Sequence, residues 1–171
     1  DRSRESLAAC IGRLLPESVA ALALEYHHLT VQGWQELQQG LPRLALTGWG
    51  KPVEYSRAIK QPAELVLIRQ AVQIAEQALA ATLPQIRLGM TEAAAAAILE
   101  RELFAHGAEG LSFPTILLSG ERSALPHGKP GERLLQAGDF LLIDFGAVVQ
   151  GYRSDITRTY LLGSATDEQR A

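Results

Sequence analysis

The sequence is poor in cysteine, since Cys10 is the only one in 171 residues. A single thiol excludes an intrachain disulfide framework and a cysteine-rich zinc site. No apolar run approaches the ~18 residues that a membrane-spanning helix requires. The net charge is also small, −3 at neutral pH, so nothing favours binding to nucleic acid or to an anionic membrane surface. We therefore expect a protein of a reducing compartment, the cytoplasm, with neither nucleic acid nor membrane among its partners.

An apolar content of 47% is enough to build a core, and 171 residues suit one ordinary domain or two small ones. The stretch GWGKPVEYS, Gly48 to Ser56, contains two glycines and a proline and is typical of a boundary. The sequence therefore predicts two domains, over residues 1–55 and 56–171.

The first predicted domain has the pattern of a small α/β unit. We expect a helix over 5–15, a strand over 19–24, a helix capped by Thr30 that runs through Gln39, and a strand over 44–46. His27 and His28 are adjacent, so their side chains point apart, and no acidic residue is spaced to complete a metal site. This pair predicts a structural or exposed role.

The second predicted domain begins with two helices. Pro62 and Glu64 open a long helix that ends near Pro84, and its buried stripe is predicted to contain Leu65, Ile68, Val72, Ala75, Leu79 and Leu83. Thr91 caps the next helix, which ends at Gly107. A short strand over 114–119 and a loop rich in proline and glycine follow. Within this loop, His127 lies between Pro126 and Gly128.

A β-hairpin is predicted from residue 140 to residue 162, with Gln150-Gly151 as its two-residue turn. This turn places Val149 opposite Tyr152 and Asp144 opposite Thr157. Because side chains alternate between faces, Asp144 and Asp155 then share one face, as diagonal neighbours with Cα atoms about 7 to 8 Å apart. A loop one residue longer would send the two aspartates to opposite faces.

Two carboxylates that face one covered space repel each other unless one is protonated or a cation lies between them. Oxygen ligands on neighbouring strands suit hard or borderline divalent metals. A loop histidine held like His127 can present its imidazole to a cleft. The residues alone leave open that Asp144 and Asp155 are ordinary strand residues and that His127 is a solvated loop residue.

Short motifs follow one another in the second domain: Ser119-Gly120, Ala124, Pro126-His127, Gly138-Asp139, Asp144 with Gly146, Gly151-Tyr152, Ser154-Asp155 and Thr157-Arg158-Thr159. In this order they resemble the pita-bread metallopeptidases, specifically the branch of Xaa-Pro dipeptidase (prolidase) and Xaa-Pro aminopeptidase. Residues 58–71 are similar to the helix that opens the catalytic domain of that family, and residues 1–55 to the last part of its creatinase-type N-terminal domain.

The resemblance implies an α+β fold. It would comprise the first half of a pita-bread catalytic domain, with two helices, a short strand and a β-hairpin, preceded by the end of a creatinase-type α/β domain. Asp144 and Asp155 match the first two metal-binding carboxylates of the family, and Asp155 matches the one that bridges both ions. His127 matches the histidine that contacts the substrate near the scissile bond. The remaining ligands of the family, a histidine and two glutamates, lie downstream of this chain, so we expect a truncated part of a longer protein.

The resemblance also implies an exopeptidase that hydrolyses the Xaa-Pro bond of dipeptides or peptide N-termini with a water activated by two divalent metal ions, Mn²⁺ or Co²⁺. The expected partner is a peptide or dipeptide with proline at the second position, and relatives are often homodimers. We expect this chain alone to be inactive. Two alternatives are a non-catalytic pita-bread binding module and a creatinase-like hydrolase that works without metal, although creatinase does not keep this set of carboxylates. Methionine aminopeptidase shares the chemistry but normally lacks the preceding domain.

Overall fold

The fold is given by a computed structural model that describes residues 5–170, so the outer ends of the two predicted domains, 1–4 and 171, lie outside the described residues. The chain divides into two units between Ile59 and Lys60. Each unit has its own apolar cluster. Within residues 5–170, no helix combines the length and the hydropathy needed to cross a bilayer.

The first unit is a two-stranded parallel sheet with helices. Its elements are α1 (Leu7–Leu14), β1 (Ala21–Glu25), α2 (Val31–Gly40), β2 (Ala45–Trp49) and α3 (Pro52–Ala58). Strands β1 and β2 pair in parallel because α2 returns the chain to the same end of the sheet. Thr30 caps α2 as predicted, and its hydroxyl accepts a hydrogen bond from the Gly33 amide at 3.0 Å. Leu37, Leu41 and Leu44 are the buried centre of this unit.

The stretch from Gly48 to Ser56, predicted as a boundary, is mostly regular structure. Strand β2 continues through Trp49, and α3 begins at Pro52. Proline at the first position of a helix has no amide hydrogen to lose and already has a helical φ, so it starts α3 rather than breaking the chain.

The second unit begins with two long helices, α4 (Pro62–Thr82) and α5 (Glu92–Ala105), joined through a 3₁₀ turn at Leu83–Gln85. Glu64 accepts a hydrogen bond from the Gln61 amide at 2.7 Å, and Thr91 accepts one from the Ala94 amide at 3.0 Å. The predicted helices are confirmed in position and capping.

The predicted buried stripe of α4 is wrong at its start, because Leu65 is 41% exposed. Four positions of α4 are fully buried, and three of them are alanines: Ala71, Ala75, Ala78 and Thr82. Alanines let the helix backbone approach the neighbouring strands closely, so small residues rather than large ones define the contact face of α4.

Two three-stranded antiparallel sheets complete the second unit. Their strands, followed by the last helix, are β3 (Gly110–Leu111), β4 (Ile116–Ser119), β5 (Phe140–Phe145), β6 (Ala147–Val149), β7 (Tyr152–Arg153), β8 (Ile156–Leu161) and α6 (Asp167–Arg170). One sheet has the order β3-β6-β7 and the other β4-β5-β8. Leu99, Leu103 and Phe145, all fully buried, belong to the apolar core that α5 shares with these strands.

Candidate metal and substrate site

The turn at Gln150-Gly151 sets the register of the hairpin. Both residues have positive φ, 47° at Gln150 and 81° at Gly151, as a tight hairpin turn of the type I′ class requires. Val149 pairs with Tyr152, and Asp144 pairs with Thr157. The register derived from the sequence is therefore confirmed along both arms.

Each arm of the hairpin is broken in the middle, so that its two halves belong to different sheets. At the break, the Ser154 amide donates to the Ala147 carbonyl at 3.0 Å, and the Ser154 hydroxyl accepts from the Ala147 amide at 3.0 Å. The same hydroxyl donates to the Ala71 carbonyl of α4 at 3.1 Å. Gly146 is in contact with the Ser154 carbonyl, and a Cβ atom at this position would overlap it. Glycine is therefore required here.

The break and the register bring both predicted metal ligands into one cavity. Asp144 is a half-buried residue of β5 between the fully buried Ile143 and Phe145, and Asp155 is an exposed residue directly before β8. Both line a cavity of about 400 Å³, and His127 lines the same cavity. The structure thus brings together all three residues that the sequence singled out.

The electrostatics of the cavity fit a cation. Burial raises the pKa of Asp144 above its ordinary value; a hydrogen bond from Thr157 Oγ1, 3.0 Å from Asp144 Oδ1, opposes this, and the neighbouring Asp155 carboxylate adds to the rise. Two neighbouring carboxylates repel each other when both are ionised, and a divalent ion bound between them removes this repulsion. Their oxygen atoms are suitable ligands for such an ion. Among the residues that the structure describes, Asp144 and Asp155 are the two carboxylate ligands that line this cavity. They do not form a group of three metal-ligating side chains with His127.

The loop that presents His127 is held by a buried carboxylate, Glu92, at the first position of α5. Glu92 is fully buried. Its Oε1 accepts from the Ser119 amide at 2.8 Å, and its Oε2 accepts from Arg122 Nε at 3.0 Å and from the Gly131 amide at 3.2 Å. Both ends of the loop around His127 are therefore attached to one helix terminus, which favours a negative charge.

An apolar wall completes the cavity beside the aspartates. It is formed by Phe113, Pro114, Thr115 and Ile116, which lead into and begin β4. Thr115 Oγ1 is buried and has no hydrogen-bond partner in the described chain. A polar atom left unpaired next to a cavity is suited to bind a group that enters the cavity.

Sequence reasoning missed both Glu92 and this wall. An acidic residue in the first helical turn is ordinary, and no local pattern distinguishes an exposed one from a buried one that binds a distant loop. The wall residues belong to a short apolar run, which predicts a strand but does not indicate which of its residues border a cavity.

The prediction that His27 and His28 have no acidic partner is wrong. Both residues lie in the turn after β1, where the His28 amide donates to the Glu25 carbonyl at 2.9 Å, so their side chains do not diverge as they would in a strand. Glu54 Oε1 lies 2.9 Å from His27 Nε2 and 3.5 Å from His28 Nε2. His106, by contrast, lies at the end of α5, with Nδ1 2.8 Å from the Glu102 carbonyl.

The fold and the cavity define a mixed helix-and-sheet protein with a candidate metal site. The family model of metallopeptidase family M24 matches residues 66–171, and the chain belongs to this family. It is 42% identical over 114 residues to a Xaa-Pro dipeptidase of Pyrococcus horikoshii, a match that covers 67% of this chain and 32% of that protein.

Solved structures agree with the match. An X-Pro aminopeptidase from Thermotoga maritima superposes with a TM-score of 0.86 at 37% identity, over 93% of this chain and 44% of that one. The prolidase from Pyrococcus horikoshii superposes with a TM-score of 0.86 at 33% identity, over 97% of this chain and 47% of that one. The predicted α+β fold with pita-bread architecture is thereby confirmed, and the chain spans less than half the length of these relatives.

Proposed function

We propose that this chain is part of a metal-dependent exopeptidase that hydrolyses the Xaa-Pro bond of dipeptides or peptide N-termini. The observation that carries the proposal is the shared cavity: two carboxylates from neighbouring strands, a loop histidine and an apolar wall meet in one space of about 400 Å³. The relatives named for Xaa-Pro dipeptidase and X-Pro aminopeptidase activity support the substrate class.

Asp144 and Asp155 are the residues that would hold the two divalent ions, and carboxylate oxygens favour ions such as Mn²⁺ or Co²⁺. When bound, such ions lower the pKa of water and polarise a carbonyl group. Thr157 donates its hydroxyl hydrogen to Asp144 at 3.0 Å and thereby orients that carboxylate. Removal of either aspartate leaves the other without its partner in a partly covered site.

His127 would act on the substrate rather than on a metal. Its side chain is exposed and lines the cavity. In the described part of the chain, it forms no group of three metal-ligating side chains with the two aspartates. We assign it a role beside the scissile bond, where an imidazole donates a hydrogen bond to the carbonyl oxygen or transfers a proton. Because Glu92 anchors the loop at both ends, the backbone that carries the imidazole is positioned before the substrate binds.

The apolar wall supports proline as the second residue of the substrate. A pyrrolidine ring is an apolar group without an amide hydrogen, so it packs against Phe113, Pro114 and Ile116 without leaving a donor unpaired.

The single cysteine supports a cytoplasmic location.

The test is a hydrolysis assay of the complete natural protein with Mn²⁺, on a Xaa-Pro dipeptide, a longer Xaa-Pro peptide and the matching Xaa-Ala peptides. We expect cleavage only of the proline substrates. Asp155→Asn should abolish activity, and His127→Ala should lower kcat by about 10²- to 10⁴-fold, the usual range for a lost acid–base group.

His106→Ala is the matched control, because this histidine lies at the end of α5 and lines no part of the cavity. It should retain full activity. Equal cleavage of the alanine peptides, or full activity of Asp155→Asn, would contradict the proposal, and peptide binding without turnover would favour a binding module.

A further inference from the structure

A second cluster of metal-ligating side chains lies in the first unit. His27, His28 and Glu54 are the one group of three or more such residues within residues 5–170, and one ligand atom from each lies within 4.8 Å of the others. The rings of the two histidines are 4.3 Å apart between centroids. We propose that this cluster binds one divalent ion of the zinc, nickel and copper class, independently of Asp144 and Asp155.

The distances from Glu54 to the two histidines fit an ion bound by all three side chains. An ion held tetrahedrally at about 2.0–2.1 Å from each ligand requires ligand atoms about 3.3–3.4 Å apart. Glu54 Oε1 lies 2.9 Å from His27 Nε2 and 3.5 Å from His28 Nε2, so these two separations bracket the required value. The fourth position of the tetrahedron is left for water.

The ligand types determine the class of ion. Two imidazoles with one carboxylate suit Zn²⁺, Ni²⁺ and Cu²⁺, whereas Mg²⁺ prefers oxygen ligands alone. The hydrogen bond from His27 lowers the pKa of Glu54 to about 2, so this group is a carboxylate at neutral pH. It therefore needs no deprotonation before it binds a cation.

The position of the cluster gives the ion a structural role. His27 and His28 lie in the turn after β1, and Glu54 lies in the first turn of α3, so one ion would connect two segments that are 27 residues apart. Because the ion would bind the folded state and not the unfolded chain, it would stabilise the folded state by mass action.

The surroundings of His27 predict that the cluster binds its divalent ion with moderate affinity. Its Nδ1 is buried and has no hydrogen-bond partner among the described residues. A bound ion on Nε2 would place the proton on this nitrogen, and a histidine ligand without an acceptor behind it typically costs about 10- to 100-fold in affinity.

The test uses the 171-residue chain with Asp144→Asn and Asp155→Asn, which removes the other candidate ligands. The imidazole signals of all four histidines are followed by NMR during titration with Zn²⁺. We expect the signals of His27 and His28 to shift and to saturate at one equivalent, while those of His106 and His127 do not move. The thermal midpoint should rise with Zn²⁺ and not with Mg²⁺.

His28→Ala is the decisive variant, since the His28 side chain is 68% exposed and we expect its loss to leave the fold intact. His28→Ala and Glu54→Gln, as separate single variants, should each abolish the Zn²⁺-induced shifts of the imidazole signals and the rise in the thermal midpoint. The matched controls are His106→Ala and Glu17→Gln, which should behave like the parent chain. Undiminished Zn²⁺ binding by His28→Ala, or Zn²⁺ that leaves the signals of His27 and His28 in place, would overturn the proposal.

Discussion

At the scale of single residues, two aspartates of the second unit, Asp139 and Asp144, have opposite electrostatic environments. Asp139 faces a guanidinium: Arg133 donates to its Oδ2 at 2.5 Å and to its Oδ1 at 3.1 Å, and these hydrogen bonds lower the pKa of Asp139. Burial instead raises the pKa of Asp144, which faces another carboxylate. The first arrangement stabilises the fold, and the second is one in which a bound cation would relieve the repulsion between the two carboxylates.

This contrast predicts how Asp139→Asn changes stability with pH. Since the folded pKa of Asp139 lies below its ordinary value of 3.8, the carboxylate contributes stability above that value and loses it as the pH falls through the folded pKa. We expect Asp139→Asn to lower the free energy of unfolding by about 1.5–3 kcal/mol at pH 7, the usual worth of a hydrogen bond to a charged group.

Urea unfolding at neutral and at strongly acidic pH is the measurement. The difference between parent and variant should disappear in acid, where Asp139 is protonated in both folded and unfolded states. The exposed Asp167 provides the control Asp167→Asn, which should differ little at either pH. A stability difference for Asp139→Asn that persists unchanged in acid would show that the ion pair with Arg133 is not its cause.

At the scale of elements, the hairpin determines the site, because its turn fixes the register and its central break directs the arms into two sheets. The break depends on Gly146, whose missing side chain lets the Ser154 carbonyl approach. A methyl group there would also lie 2.7 Å from Ser112 Oγ.

We therefore expect Gly146→Ala to destabilise the chain by about 1–3 kcal/mol, the range for overpacking a filled core. Because Asp144 precedes Gly146 by two residues, its metal affinity should fall as well. Thermal unfolding and Mn²⁺ titration are the measurements. The matched change Gly50→Ala meets no atom within 4 Å and should be neutral, whereas a Gly146→Ala variant as stable as the parent would disprove the close approach.

The hairpin also shows where sequence reasoning succeeds. Alternation and a two-residue turn are local rules, so Gln150-Gly151 was sufficient to predict that Asp144 pairs with Thr157. The division into two sheets depends on contacts of Ser154 with Ala147 and with Ala71, and Ala71 is 83 residues away in the chain. The burial of Glu92 and the approach of Glu54 to His27 are likewise tertiary events, and no local pattern contains them.

At the scale of the whole molecule, the chain belongs to family M24 and spans less than half the length of the relatives described above. It covers 32% of a Xaa-Pro dipeptidase and 44–47% of two solved relatives. The described residues supply two carboxylates, a histidine and an apolar wall to one cavity. With so few ligands, we expect the chain to bind Mn²⁺ weakly and to show no Xaa-Pro hydrolysis by itself.

The central claim is that the carboxylates of Asp144 and Asp155 bind divalent metal jointly, and a double-mutant cycle of Mn²⁺ affinity tests it most directly. The cycle compares the His28→Ala chain, which lacks the second cluster, with Asp144→Asn, Asp155→Asn and both changes in the same background. We predict that either change weakens binding about tenfold or more, about 1.4 kcal/mol, and that the second change adds little to the first. Independent, additive losses, or affinity unchanged from that of the control Asp167→Asn, would contradict joint binding.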